Sequence, residues 1–518
     1  MERRSVLKGI AGAGLASSSL AIPHLARAQG RKVLVIASGQ DIPNFDPHVA
    51  TGYSAAMLLR NTYDTLTRVE GNPPKVIAHL AASWTVSPNG MEYTFKLDPA
   101  ARFNDGSPVN AEAVAYSLRR TLRVAKGNSW MIKGIVDPEG IQVVDAQTVH
   151  FKLLKPFAAF LSVLPWQFIV NPKLVEANKA ADDGQEYLRK TIAGSGRFIV
   201  KRNEPGNLYE FERVAKPWKS GGGNLDGAIW KIVRETSSQR LMVARGDAHF
   251  AVDLTSEDMD ALKDRPGVIR IIETEYRTFS IKMNTAFGPL ADPNLRKAIS
   301  CAFNYKGMLD AAGYAELMDG PLPKGLGHDP TLQVYRTDMD KAKAYLAKTK
   351  YAGGGLKLTM VHVTGLEQQR QWALVLLDSL KKLGIELDIK PQVWPDMVAS
   401  AKTPESTPDF FPVYQTGNYA DPDNIAYASY HSNGNGNWQN PVYKNPKVDE
   451  LIEKGRAEVD PKKRAAVYAE FERVVVDDAP DIFGVLEKRK IAMRTDVQNF
   501  VFTPIASNAV ELLHLSLK

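Results

Sequence analysis

The clearest alternation of apolar and polar positions runs from Trp84 to Leu97. Trp84 and Val86 point one way, and Ser87-Pro88-Asn89-Gly90 then supplies a turn. Pro88 presets the turn's φ, and Gly90 closes it without a Cβ to clash. Tyr93, Phe95 and Leu97 alternate with Glu92, Thr94 and Lys96, the pattern of a half-buried strand. A second turn is expected at Asn104-Asp105-Gly106. Asn110 stands where an N-cap is needed, ahead of a helix with the apolar stripe Val114, Leu118, Thr121 and Leu122. The pattern therefore predicts a hairpin followed by a helix.

The second half predicts a strand–helix–strand unit. Lys357 to Val363 alternates, and Gln368 to Leu383 carries Ala373, Leu376, Leu377, Leu380 and Leu383 at helical spacing. Gly384 ends that helix as a C-cap, and Ile385, Leu387 and Ile389 begin the next strand. A crossover of this size favours a parallel pair. Asp338 is placed to cap a helix through Ala342, Tyr345 and Leu346. Pro446 to Glu458 and Pro461 to Val476 read as two more helices, each with Pro in its first turn. Gly221-Gly222-Gly223 and Gly353-Gly354-Gly355 read as flexible loop tips. Strands and helices are mixed throughout, so the fold class is α/β or α+β.

Composition changes this picture little. The 518 residues exceed what one core serves and suggest roughly three units. The formal net charge is +7, and three of those charges lie in the first 28 residues. The remainder is too mild and too spread to argue for nucleic acid. Cys301 is the one cysteine, so no internal disulfide forms, and its setting reads as a buried helix face. The N-terminus reads as an address. Arg3-Arg4-Ser5-Val6-Leu7-Lys8 precedes an apolar run from Gly9 to Ile22, and Ala26-Arg27-Ala28 offers a cleavage site. Residues 1–28 thus predict a removed signal peptide. The paired arginines resemble a twin-arginine signal, with a general secretory signal as the alternative. No cysteine follows the site, so no lipid anchor is expected, and no later run is long enough to span a membrane.

No enzyme constellation emerges. Ser195 lacks the flanking glycines of a nucleophile elbow, having Ala193 and Arg197 instead. There is no Walker loop and no His-Glu-x-x-His, and the nine histidines are scattered. No cofactor and no metal are called for. Asp477, Asp478 and Asp481 read as a solvated helix end and turn.

As a word pattern, Val76 to Arg120 resembles the family-five extracellular solute-binding proteins of bacterial ABC importers, the peptide, dipeptide and nickel class. The hallmark is close to "LA-x-SW … DG-x-x-YTF-x-L … F-x-DG-x-P-x-x-AEDV-x-x-S". This copy departs at Asn89 and Ala113. Tyr63-Asp64-Thr65-Leu66, Gly194 to Phe198, Asn294 to Ile299 and Asn445 to Ile452 extend the resemblance from about Val33 to His514. It implies a two-lobed periplasmic binding-protein fold with a hinge and an extra subdomain. Lobe I would comprise 29–284 plus 490–518, with the subdomain at about 76–190, and lobe II would comprise 285–489. The crossings would lie near Lys282–Phe287 and Lys488–Ala492. The implied protein is a periplasmic monomer and not an enzyme. It would capture a peptide or other small solute and deliver it to an inner-membrane ABC permease with its ATPase subunits. Opines, oligosaccharides and polyamine-like solutes are alternative ligands. A secreted hydrolase and a sensory binding protein are alternative classes.

The candidate ligand-binding residues centre on Tyr414, Gly417, Asn418, Tyr419 and Asp421. Gly417 permits close backbone approach, and Tyr419 offers a flat face. In peptide-binding relatives an Asp at the position of Asn418 holds the peptide's α-ammonium. A neutral amide compensates a buried ammonium poorly. Either Asp421, Asp423 or Asp41 takes that role, or the ligand carries no ammonium there. The resemblance adds Arg370 as a carboxylate partner, Trp394 and Trp438 as aromatic walls, and Phe45 in the first cleft loop. Asn418→Asp is expected to tighten dipeptide binding by roughly tenfold or more. An unchanged dissociation constant by calorimetry would place Asn418 off the ligand.

Overall fold

Two long strands, Val268–Met283 and Asp481–Arg494, run antiparallel through the middle of the molecule. The computed structural model describes residues 30–505 and 510–518, so the export segment expected at Arg3–Ala28 lies outside the described residues. The two strands are the centre of an 11-stranded sheet. Asp481–Arg494 pairs with Phe250–Ala251, followed by Val33–Ser38, Gly227–Ile232, Leu208–Arg213 and Phe198–Glu204. On the other side, Val268–Met283 pairs with Phe410–Thr416, followed by Leu356–Val363 and Ile385–Gln392. The register between the central strands slips between Thr274 and Thr278. There the pair leaves one set of neighbours for the other. Lys282, where the resemblance points to the crossing, is already paired with Asp481 beyond that slip.

Each half packs its own core. One cluster includes Leu34, Phe95, Phe151, Phe211 and Trp230, and another includes Phe279, Ile299, Met360, Trp372 and Phe410. The Trp84–Leu97 alternation forms two strands of a separate four-stranded antiparallel sheet. Gly90 N–H donates to the Ser87 carbonyl at 2.9 Å, with Gly90 at φ 66°. Tyr93, Phe95 and Leu97 are buried. The Asn110 side chain accepts from the Ala113 N–H at 3.0 Å and caps helix Ala111–Val124. Val114, Leu118 and Thr121 line its buried face. Leu356–Val363 and Ile385–Gln392 are parallel neighbours joined by helix Glu367–Lys381. Trp372 joins that helix's buried stripe.

Two readings need correction. Gly221-Gly222-Gly223 is packed rather than a loose tip. Gly223 N–H donates to the Leu513 carbonyl at 2.8 Å, and a Cβ on Gly223 would lie 1.6 Å from the Leu515 oxygen. Asp481 is not solvated. It is fully buried against Lys282 Nζ at 3.1 Å and the Tyr430 hydroxyl at 2.8 Å, partners far away in sequence.

Asp46, Arg120 and His48 form a buried triad. Arg120 donates to both Asp46 oxygens at 2.9 and 2.7 Å, and to His48 Nδ1 at 2.8 Å. A donor on Nδ1 requires the neutral ring, with its proton on Nε2 facing the Phe168 carbonyl at 3.0 Å. Burial, reinforced by Arg120 and opposed by Asp46, pushes the His48 pKa down to about 4. Between the ordinary value of about 6.5 and that value the unfolded chain binds the extra proton, so stability falls as pH drops across this window. The full penalty is about 3 kcal/mol. His48→Gln is expected to flatten the melting temperature between pH 7 and pH 4; an unchanged slope would count against the neutral ring.

Candidate functional site

Charged residues gather where the central strands slip. Glu275 and Arg277 come from one strand, and Glu487, Arg489 and Lys490 from the other. Tyr53, at the first position of helix Tyr53–Thr62, meets them from one half, and Tyr414 meets them from the other. Arg277 pairs with Glu487 at 3.0 Å and lies 4.5 Å over the Tyr414 ring. Tyr414 packs in turn on Phe279, which stacks on Trp372 with centroids 3.8 Å apart. This side of the cluster is therefore fixed.

Two groups are not paired. Glu275 is 4% exposed, and among the described residues it has neither a hydrogen bond nor an ion pair. Burial raises its pKa, with Arg489 and Arg277 opposing. Arg489 lies 5.1 Å over the Tyr53 ring, and its Nε has no partner. The Tyr53 hydroxyl is buried beside Thr416, and burial pushes its pKa up to about 12. A buried carboxylate and a guanidinium thus sit close enough to feel each other's charge without bonding. Such a site suits a ligand that carries both signs.

The sequence-predicted residues separate into groups. Gly417 is pressed against Tyr276, where a Cβ would lie 2.7 Å from the Tyr276 Cβ. Asn418 N–H donates to Asn424 Oδ1 at 2.8 Å, and its carbonyl accepts from Trp166 Nε1 across the cleft. Tyr419 is buried, with its hydroxyl on Asp423 at 2.9 Å and its ring 6.2 Å from Trp130. The three substitute carboxylates are all engaged. Asp421 holds Arg464 through both oxygens at 2.6 and 2.7 Å. Asp423 faces Tyr419 and Arg456, and Asp41 accepts from Tyr209 and Gly206 N–H. Asp421 is therefore a structural partner rather than a vacant ligand group. Phe45 belongs to the core against Tyr209, because its ring packs inward. Arg370 pairs with Glu367 at 2.6 Å on an exposed helix face, which satisfies its fork one turn away. Trp394 and Trp438 pack edge to face at 5.4 Å, beside the small cluster of Val361, Val363 and Met397.

Sequence reasoning missed Tyr53, Glu275 and Arg489. The available signal was charge inside otherwise apolar strands, at every second position in Glu273-Thr274-Glu275-Tyr276-Arg277 and as the unbroken run Glu487-Lys488-Arg489-Lys490. Among the described residues, no three His, Cys, Asp or Glu side chains are grouped to hold a metal, and no helix is long and apolar enough to cross a membrane.

A sequence model described as "Bacterial extracellular solute-binding proteins, family 5 Middle" matches residues 75–437. The chain belongs to that family. This solute-binding protein is 30% identical to the probable D,D-dipeptide-binding periplasmic protein DdpA of Escherichia coli K12, covering 94% of each chain. It is 25% identical to the glutathione-binding protein GsiB of Salmonella typhi, covering 96% of each. Its fold matches the periplasmic binding protein DppA of Helicobacter pylori, solved with the peptide STSA, at TM-score 0.79 and 22% identity over 94% and 98% of the two chains. The two-lobed fold of the family is thereby shown, and substrate binding is its role.

Further contacts join the lobes beside the Trp166–Asn418 bond. Ala158 N–H donates to the Arg456 carbonyl at 2.8 Å, and Arg456 lies 5.1 Å over Phe157. Trp166→Phe keeps the ring but removes the donor to Asn418. Ligand binding is expected to weaken by a factor of roughly 2 to 10. Titration calorimetry reads that change, and an unaltered affinity would show that this bond does not hold the closed form.

Proposed function

We propose that this protein captures a small zwitterionic, peptide-like solute between its lobes and delivers it to a membrane ABC permease. The observation that carries the reading is the buried Glu275 carboxylate beside the half-buried Arg489, neither of them ion-paired among the described residues. The ligand's ammonium would face Glu275, and its carboxylate would face Arg489. The charge that Asn418 lacks is supplied from the hinge strands. Tyr414 and Asn418 line the same cleft from the second lobe. The names of the relatives support this reading, since dipeptide, glutathione and the STSA peptide all carry both charges.

The lobes in this proposal are residues 30–274 with 488–518, and residues 278–486. The hinge lies at the intervening residues 275–277 and 487, where the central pair slips. Lobe closure converts ligand binding into a shape that the permease reads. Residues 1–28 act as the export signal. Binding rather than catalysis is the activity. Cys301 is buried and its thiol is pushed up to about 11, away from the reactive thiolate. The Ser195 hydroxyl has no base hydrogen-bonded to it.

A thermal-shift panel of L-dipeptides, D-Ala-D-Ala and glutathione tests the ligand class. Ligand at about a hundred times its dissociation constant adds roughly 2.7 kcal/mol of stability. For the best ligand, Glu275→Gln is expected to weaken binding by about tenfold or more. Protonating Glu275 removes the negative charge, so wild-type affinity should fall as pH drops through its raised pKa, and the variant should lose that dependence. Equal affinity and equal pH profiles in the two proteins would overturn the assignment of Glu275.

A further inference from the structure

The first lobe holds a second pocket, separate from the Glu275–Arg489 cleft. It is small and partly open, and is lined by Arg60, Arg68, Ser195, Arg197, Trp218 and Lys219 among others. Arg60 and Arg68 come from helix Tyr53–Thr62 and strand Thr67–Glu70. Ser195 and Arg197 lie just before strand Phe198–Glu204. The pocket therefore draws on segments far apart in the chain, Trp218 and Lys219 among them.

Its donors outnumber its acceptors. The Arg60 side chain is 3% exposed, and its Nη1 reaches Glu511 at 3.2 Å. Among the described residues its Nε and Nη2 have no hydrogen-bond partner, and its guanidinium lies 4.9 Å over the Trp166 ring. Arg197 gives Nη2 to the Lys219 carbonyl at 3.0 Å, while its Nη1 has no partner. The Ser195 hydroxyl is buried and also unpartnered. The carboxylates nearby are already used. Asp64 accepts from His79 at 2.6 Å and from Trp218 Nε1 at 2.9 Å. Glu511 is shared between Arg60 and Arg68, at 3.2 and 2.9 Å. Four cations, Arg60, Arg68, Arg197 and Lys219, thus face two carboxylates. Buried donors and charges of this kind are normally matched. Burial pushes the Arg60 pKa down to about 10, with Glu511 opposing the fall and Arg68 adding to it.

We propose that this pocket binds a small oxyanion, held by the unpartnered N–H groups of Arg60 and Arg197 and by the Ser195 hydroxyl. Guanidinium forks and a hydroxyl match the oxygens of phosphate, sulfate or a carboxylate. Lys219, exposed at the pocket, adds charge that would draw the anion in. The site is independent of the cleft's ligand.

Isothermal titration of inorganic phosphate, and separately of sulfate, into the full exported chain tests the proposal. Saturable binding of either anion at one site per chain is expected. Arg197→Gln is expected to weaken it by about tenfold or more. Ser195→Ala, which removes one donor, is expected to weaken it severalfold, and it carries the test should Arg197→Gln fail to fold by circular dichroism. No saturable binding of either anion up to on the order of 10 mM would mean that water alone fills the pocket. Equal affinity in the wild type and the folded variants would place any bound anion elsewhere. Either result overturns the proposal.

Discussion

The pairing of Val268–Met283 with Asp481–Arg494 is the constraint on which the rest depends. These strands alone belong to both halves of the 11-stranded sheet, so each lobe's register is set against them. A continuous ladder would make the two lobes one stiff slab. The slip between Thr274 and Thr278 breaks the ladder at the point where the neighbours change. Irregular pairing there locally bends and twists the strands, which is how sheets re-aim side chains. It also leaves a place where polar side chains of both strands can turn toward the gap between the lobes.

Elsewhere the structure pairs its buried charges closely. Asp46 with Arg120, Asp481 with Lys282, and Asp421 with Arg464 each bring opposite charges to 3.1 Å or less. Removing one partner of such a pair leaves an uncompensated charge, which costs about 3 to 5 kcal/mol. Against that background Glu275 and Arg489 stand out. They lie among charged neighbours, yet neither makes an ion pair. In a fold whose family role is to take up a solute, unmatched charge between the lobes has a direct use. In the proposed function the ligand completes what the chain leaves incomplete, so that binding and closure reinforce each other.

What was legible in the sequence was local. The Ser87–Gly90 turn, the Asn110 cap and the crossover from Leu356–Val363 to Ile385–Gln392 each depend on residues close in the chain, and each reads directly. The fold class was readable from the mixture of strands and helices, and the two-lobed form from the family resemblance of the Val76–Arg120 stretch. The meeting of Glu275 with Arg489 was not, because it comes about through long-range pairing. Glu275 and Arg489 are more than two hundred positions apart in the chain. Their roles depend on a register slip that no local pattern announces. Asp421, Asp423 and Asp41 looked available for the same reason. Arg464, Arg456 and Tyr209, which engage them, lie far away in sequence.

The turn around Asn418 shows how specificity can change without loss of fold. Its backbone, not its side chain, makes the holding contacts. The N–H is bound by Asn424, and the carbonyl by Trp166 of the opposite lobe. Asp421 is clamped by Arg464 just downstream, and Gly417 is pressed onto Tyr276 just upstream. The position is therefore fixed whatever side chain it carries. A family built this way can exchange a carboxylate for an amide at Asn418 at little structural cost, provided that a charged ligand finds its partner elsewhere in the same cleft. In the proposed function Glu275 meets that condition, because it comes from the central strands that both halves of the sheet share.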